Sequence, residues 1–311
     1  MTTLTLALLS GCGIENLVRG QDAVVVESVT VEENFLQEPH PKVDLLFVVD
    51  NTGSMAEEQA ALGAAFGSFV GALDQLGLAW HLGVVTTEIE SERAGLLQGE
   101  PWIITPHSVD AEQAFVEAVS VGTEGVEERG LGALLLALSD DLSEGNRGFR
   151  RQDAALHVVV VSDGDDHSEE LLGEDAVELA LTLLEDQAAA TGLPAQLSAL
   201  VGDVPGGCKG SSGQAFPGTL YVDVAEASGG AWASICSADL EQIVTEIGEL
   251  SASYPSEFLL QALPDDEPRV AVDDERMDSG WALQIEPPAI VFEQAPPPGA
   301  RVQVRYSLEA E

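Results

Sequence analysis

Positive charge is what this sequence lacks. Its 311 residues hold 54 acidic side chains against 12 Lys and Arg, a net charge of −42, and Lys42 and Lys209 are the only lysines. Such a surface repels a phosphate backbone, which argues against nucleic-acid binding, and it attracts divalent cations or basic partners. The plainer alternative is a solvated acidic shell that keeps the chain soluble. Cysteine is scarce as well: there are three, with no Cys-x-x-Cys and no His-Glu-x-x-His, so a zinc centre has little to stand on. Beyond the N-terminus no run approaches the roughly 20 apolar residues of a membrane span. There is no Walker loop, no dinucleotide-binding glycine fingerprint after a strand, no nucleophile elbow and no internal repeat. Disorder is excluded too, because 45% of the residues are hydrophobic, enough for a substantial core.

The strongest positive signal is the stretch from Val43 to Met55. A short, β-branched apolar run, Val43 to Val49, suits a strand buried on both faces of a parallel sheet. It ends in Asp50, and hydroxyls follow at Thr52 and Ser54 before a helix begins. These groups would meet at the strand's C-terminal end, where open α/β sheets bind their ligands. Hard oxygen donors of this kind suit Mg²⁺ or Ca²⁺ rather than zinc. Ser54-x-x-Glu57 also scores as a capping box, and one loop can do both jobs. A second buried run, Leu156 to Ser162, ends in Asp163.

Between and after these runs, Met55 to Gly77 reads as a helix and Ala79 to Thr87 as a strand. A short strand is expected at Trp102 to Thr105. Helices are expected at Asp110 to Ser120, Glu127 to Leu142, Glu169 to Ala190 and Ser237 to Leu250, and strands at Ala195 to Val201 and Thr219 to Val224. The alternation predicts a doubly wound, mostly parallel α/β sheet flanked by helices. Beyond Tyr254-Pro255 come short strands between Pro-, Gly- and Asp-rich turns, a small all-β, sandwich-like module over residues 255–311. Val24 to Val31 is expected to add a strand to it, which would make the α/β domain an insertion.

Asp50-x-Thr52-x-Ser54, with Asp163-Gly164 at the end of the second strand, resembles the metal-ion-dependent adhesion site of von Willebrand factor type A domains, whose motif is Asp-x-Ser-x-Ser. Thr52 keeps the hydroxyl of the serine it replaces. The resemblance covers residues 42–250. It implies a divalent cation, Mg²⁺ first with Ca²⁺ or Mn²⁺ as alternatives. In that family the cation is held by the hydroxyls directly and by the aspartates partly through water, with one position left open for a carboxylate on a protein partner. The function implied is adhesion or protein–protein contact, not catalysis. The chain departs from the family in the third loop, which usually supplies a threonine. Thr123 is available, whereas counting back from Ala133-Leu134 places Glu128 nearest the position. Charge at a helix N-terminus is the bland account of that glutamate.

Two competing readings attach to the same region. Asp163, Asp165 and Glu174 fall at EF-hand positions, but Ser168 stands where that loop needs glycine, and a strand precedes it. A metal-dependent hydrolase would need a general base, with His107 and His167 as candidates. A third possibility is a structural envelope protein with a vestigial site.

The N-terminus carries the apolar segment Leu4 to Leu9 followed by Leu9-Ser10-Gly11-Cys12. This resembles a bacterial lipobox over residues 1–12, with Cys12 as the lipidated residue, although no Lys or Arg precedes the apolar segment. Residues 13–41 then form an acidic tether that includes any strand given to the β module. The expected location is the bacterial cell envelope, exported and held by lipid, at the outer membrane or cell surface, with no other membrane contact. Export would allow a Cys208–Cys236 disulfide, the alternative being two buried thiols.

Overall fold

The computed structural model of the protein describes residues 28–139, 145–173, 175–210 and 213–309. The lipobox with Cys12, residues 13–27 of the tether, Glu174, and the expected helix end at Leu142 lie outside the described residues. The chain divides into two compact units. One contains the described residues up to Pro39 together with those from Tyr254 onward, and the other is His40–Ser253.

In chain order, β1 (Ser28–Leu36) belongs to the first unit. The second unit then runs β2 (Lys42–Val49), α1 (Ala56–Ala64), α2 (Phe66–Gln75), β3 (Ala79–Thr86), α3 (Ala111–Val119), α4 (Gly130–Ala137), β4 (Ala155–Val161), α5 (Glu169–Leu172), α6 (Ala176–Thr191) and β5 (Ala195–Val201). A small hairpin, β6 (Cys208–Lys209) and β7 (Gln214–Ala215), leads to α7 (Thr219–Ser228), β8 (Trp232–Ser234) and α8 (Leu240–Leu250). Five strands form one sheet in the order β3-β2-β4-β5-β8, every pair parallel. The fold class is therefore α/β, as the alternating pattern requires.

β2 shows why these residues make a central strand. Val43, Leu45, Phe47 and Val49 enter a core with α1, α2, α3 and α8, while Leu46 and Val48 enter a second core with α4, α6 and α7. Both faces are apolar because both are covered, so the run is continuous rather than alternating. On the first face Phe47 packs edge-on against Phe69 and Phe115 at 5.4 and 5.3 Å.

Several expected elements differ. Thr219 to Val224 is not a strand but the start of helix α7, with Tyr221, Val222, Val224 and Ala225 buried. A short apolar run fits either period, and here neighbouring packing chooses the helix. Glu169 to Ala190 is two helices. Gly173 turns left-handed at φ +68°, and Asp175 then caps α6 by accepting from Val177 and Glu178 N–H at 3.0 and 3.1 Å. Met55 to Gly77 is likewise interrupted at Ala65, whose N–H is shared between the Ala61 and Leu62 carbonyls. Trp102 to Thr105 is reduced to one antiparallel bridge, Ile104 with Leu82. β8 lacked a clear sequence signal.

Two buried polar groups hold this unit together. Asp44, fully buried near the start of β2, receives Arg150 Nη1, Arg151 Nε and the Arg151 N–H, each at 2.7 Å. His157 on β4 lies between Ser251 and Ser198, 2.8 Å from each hydroxyl. The Ser251 hydroxyl donates to the Ile247 carbonyl, so it accepts from Nδ1–H, which leaves Nε2 to accept from Ser198. A neutral ring is fully satisfied and ties β4 to β5 and to the end of α8. Cys208 and Cys236 form a disulfide, closing a 28-residue separation.

The first unit is a sandwich of two antiparallel sheets. Its remaining strands are β9 (Glu257–Leu259), β10 (Arg269–Val272), β11 (Glu275–Met277), β12 (Trp281–Gln284), β13 (Ala289–Phe292) and β14 (Arg301–Glu309). One sheet is ordered β1-β14-β10-β11 and the other β12-β13-β9. β1 pairs with β14 over its whole length, so the chain crosses to the α/β unit and returns between sandwich pieces. Val270, Val302, Val304 and Tyr306 face Phe258, Ile290 and Phe292 in one core. Buried Glu33 accepts from Tyr306 Oη at 2.7 Å and from Gln261 N–H at 3.0 Å. Among the described residues no helix is long and apolar enough to cross a membrane.

Burial lowers the His157 pKa from 6.5 to about 3. The unfolded chain takes up this proton as pH falls through 6.5 and the folded chain does not. The stability His157 contributes is therefore complete above that pH and is lost as pH falls toward 3. At pH 5 the expected loss is about 2 kcal/mol. Urea unfolding of wild type and His157→Asn at pH 7 and pH 5 isolates it, since carboxylate effects common to both cancel. An equal pH response in the two proteins would contradict the assignment.

Candidate metal centre

β2 and β4 are neighbours in register, so Asp50 and Asp163 emerge side by side at the C-terminal end of the sheet, and the Asp50 N–H bonds the Val161 carbonyl at 2.9 Å. The Asp50 side chain is fully buried. Its Oδ1 accepts from Thr52 N–H and its Oδ2 from the Ser162 hydroxyl, both at 2.7 Å. Glu128 comes in from the loop before α4. One carboxylate oxygen each from Asp50, Asp163 and Glu128 lie within 4.8 Å of one another.

The electrostatics are those of crowded anions. Burial pushes the Asp163 carboxyl above its usual range; a hydrogen bond from the Ser54 hydroxyl opposes this, and the nearby Asp50 charge adds to it. Burial likewise raises Glu128, and the charges of Asp50 and Asp163 push it in the same direction. Among the described residues no Lys or Arg pairs with any of the three; Arg129, the nearest in sequence, bonds Glu90 at 2.6 Å. Thr52 is buried, and its hydroxyl has no hydrogen-bond partner among the described residues. A buried hydroxyl without a partner is costly, and on the loop that carries Asp50 a hard cation is a partner that would suit it and the carboxylates alike.

The loops carrying these groups are knitted together. Gln59 Nε2 donates to the carbonyls of Asp50 and Gly122 at 2.9 and 2.8 Å, and Gly125 N–H bonds Asn51 O at 2.8 Å. The first turn of α4 is capped from elsewhere: Gly130 N–H by Tyr221 Oη at 3.1 Å, Leu131 N–H by Asp166 Oδ2 at 2.8 Å, and Gly132 N–H by Ser168 Oγ at 2.8 Å. Asp166 Oδ1 also accepts from Ser168 N–H, and Asp165 Oδ1 accepts from Leu220 N–H at the start of α7, both at 2.9 Å. Asp165 and Asp166 are thus engaged in capping helices.

The structure brings together Asp50, Thr52, Ser54, Asp163 and Glu128. Thr123 is exposed on the third loop, its carbonyl 3.8 Å from the point a Cβ on Gly53 would occupy. His167 has its Nδ1 3.3 Å from Glu127 and 3.4 Å from Glu128, an ion pair when protonated. His107 is exposed, with its backbone N–H on Thr105 Oγ1. Sequence reasoning missed Ser162, Gln59 and Tyr221, and the capping roles of Asp166 and Ser168. Only Ser162, adjoining the strand-end aspartate, had a local signal.

Two aspartates at adjacent parallel strand ends, with a hydroxyl pair between the first and helix α1, define the resemblance. The α/β unit is von Willebrand type A-like. No protein-family model matches the sequence, and no curated relative does. Solved structures similar to the chain include a von Willebrand factor type A protein from Catenulispora acidiphila, at 15% identity and TM-score 0.42, covering 93% of this chain and 62% of that one. The pilus adhesin SpaC from Lactobacillus rhamnosus GG is another, at 13% identity and TM-score 0.40, covering 94% and 42%. The pilus adhesin RrgA from Streptococcus pneumoniae matches at 8% identity and TM-score 0.38, covering 94% and 60%. The chain spans less than two thirds of each of these structures. At these TM-scores the reading of the unit rests on its own strand order and site geometry.

Asp166→Ala removes acceptors from two buried N–H groups and frees the start of α4. The expected cost is about 1–3 kcal/mol, read as a lower urea midpoint in the presence of chelator. An unchanged midpoint would show that the cap does not hold the loop.

Proposed function

We propose that the protein is an exported, cell-envelope adhesion or protein-interaction protein whose α/β unit acts through a bound divalent cation. The observation that carries this reading is the convergence of one carboxylate oxygen each from Asp50, Asp163 and Glu128 within 4.8 Å, together with the buried hydroxyl of Thr52, two residues from Asp50, which has no hydrogen-bond partner among the described residues. Like charges so close repel strongly at reduced dielectric, and a dication converts the repulsion into attraction. Ser54 completes the set through its hydroxyl, which meets Asp163. The donors are all oxygen, which favours Mg²⁺, Ca²⁺ or Mn²⁺ over zinc.

The role is binding rather than turnover: the cation links this chain to a protein partner, whose own oxygen completes the coordination. Cys12 would attach the chain to a membrane by lipid, and the acidic residues after it would carry the sandwich and the α/β unit clear of the surface. The site lies in the type A-like unit, so the sandwich serves presentation. The acidic surface raises the local cation concentration around the site.

The test is calorimetric titration of Mg²⁺, Ca²⁺ and Mn²⁺ into chelator-treated protein, with Asp50→Asn alongside, in enough salt to suppress diffuse binding. The amide keeps an acceptor for Thr52 N–H but removes the charge. Wild type is expected to show one discrete site, and free cation at 100 times Kd should stabilise it by about 2.7 kcal/mol. Asp50→Asn should lose both effects while keeping its near-ultraviolet circular dichroism. Identical titrations would leave the acidity as a solubility device and no more.

A further inference from the structure

The cation reading leaves open what kind of partner group the site accepts, and Glu128 bears on this directly. Its side chain lies against Gly164: a Cβ there would fall 2.8 Å from Glu128 Cδ and 2.9 Å from its Oε1. Its backbone is fixed, since the Glu128 carbonyl accepts from His167 N–H at 2.7 Å. Nor does Glu128 serve as the cap of α4. The first three N–H groups of that helix are already taken by Tyr221, Asp166 and Ser168, so helix capping does not explain a carboxylate here.

Charge then decides the ligand class. Asp50, Asp163 and Glu128 carry three negative charges when ionised, and a dication supplies two positive ones. His167 lies 3.4 Å from Glu128 and 3.3 Å from Glu127, so a charge on it is shared with a fourth carboxylate. With His167 neutral, a filled site with all three bound is still net negative, and an incoming carboxylate would meet that charge at short range. A Glu128 oxygen would also take a coordination position of its own. Mg²⁺ is usually held by one or two carboxylates and keeps several waters, whereas Ca²⁺ takes six to eight oxygens, often with several carboxylates.

We infer that Glu128 is an internal anionic ligand that selects Ca²⁺ over Mg²⁺ and closes the site to a partner's carboxylate, leaving neutral oxygen donors, amide carbonyls or hydroxyls, as the groups a partner presents. The inference rests on the cation reading and revises the acidic partner implied by the sequence resemblance. Thr123 is exposed and contributes no charge, so it takes no part in this selection.

The experiment uses the full chain as wild type, Glu128→Thr, Glu128→Gln and Asp50→Asn. Calorimetry measures Ca²⁺ and Mg²⁺ binding, and water-proton relaxation of the Mn²⁺-loaded proteins is followed as acetate is added. Both Glu128 variants are expected to lose about tenfold or more in Ca²⁺ affinity, with a smaller change for Mg²⁺, as fewer charged ligands remain. Acetate should displace metal-bound water, lowering relaxivity, in Glu128→Thr but not in wild type. Ca²⁺ affinity unchanged in both Glu128 variants, or acetate displacing water from wild type, would overturn the inference alone if Asp50→Asn still abolishes binding. Binding unaffected by Asp50→Asn, or none in wild type, would overturn the cation reading and this inference with it.

Discussion

A buried carboxylate without a countercharge is the constraint around which this end of the sheet is built. Asp50 is fully buried, and its two oxygens are held by Thr52 N–H and the Ser162 hydroxyl rather than by a cation of the protein. The same strand offers a comparison. Asp44, equally buried and six residues earlier, has Arg150 and Arg151 on its two oxygens. Asp44 within β2 and Asp50 just past its end are thus both buried, one neutralised by the chain and one only hydrogen-bonded. Two further carboxylates then stand beside the second. Desolvating an ion costs several kcal/mol even after relaxation, so this difference in countercharge weighs on stability. Two of the scarce arginines lie on Asp44 and, among the described residues, none on Asp50, which is why the proposed function gives the latter a dication.

The hydrogen bonds around the site serve the same constraint. Each loop is fixed by groups other than its presumed ligands: Gln59 and Asn51 join the first and third loops, while Asp166, Ser168 and Tyr221 hold the start of α4. Asp165 reaches instead to α7, which brings the hairpin side of the unit into register with the Asp163 loop. Phe216 N–H on the Asp163 carbonyl at 2.8 Å adds to that link. Carboxylates that would otherwise move apart are kept together by hydrogen bonds between the loops, those to Asp165 and Asp166 among them.

How much of this the sequence reveals depends on the range of the interaction. The α/β class and the two strand-end aspartates are legible because a strand buried on both faces writes itself as a near-continuous apolar run, and Leu45–Val49 and Val158–Val161 do so. The hydroxyl spacing after Asp50 is local too. Residues 219–224 were ambiguous because six residues do not separate a period of 2 from one of 3.6, and the cap from Asp165 lies 55 residues away. Gly173 followed by Asp175 was a readable stop and start inside the expected long helix. The caps on α4 were not readable at all, since Asp166 is 35 residues and Tyr221 91 residues from the N–H groups they satisfy. His157 sat inside a strand pattern that gave no hint of its two serine partners.

The distinction between Thr123 and Glu128 shows what geometry adds to spacing. Both lie on one loop, and a count of residues weighs them without regard to what surrounds them. Packing separates them: Glu128 fills the space above Gly164, and Thr123 faces solvent. A ligand that is already held loses little conformational freedom when a cation arrives, whereas an exposed threonine would have to be ordered first. On the proposed reading preorganisation favours the glutamate, at the cost of repulsion among the three carboxylates. The energy of that repulsion would be released on binding a cation, so the crowding would add to affinity for the ion.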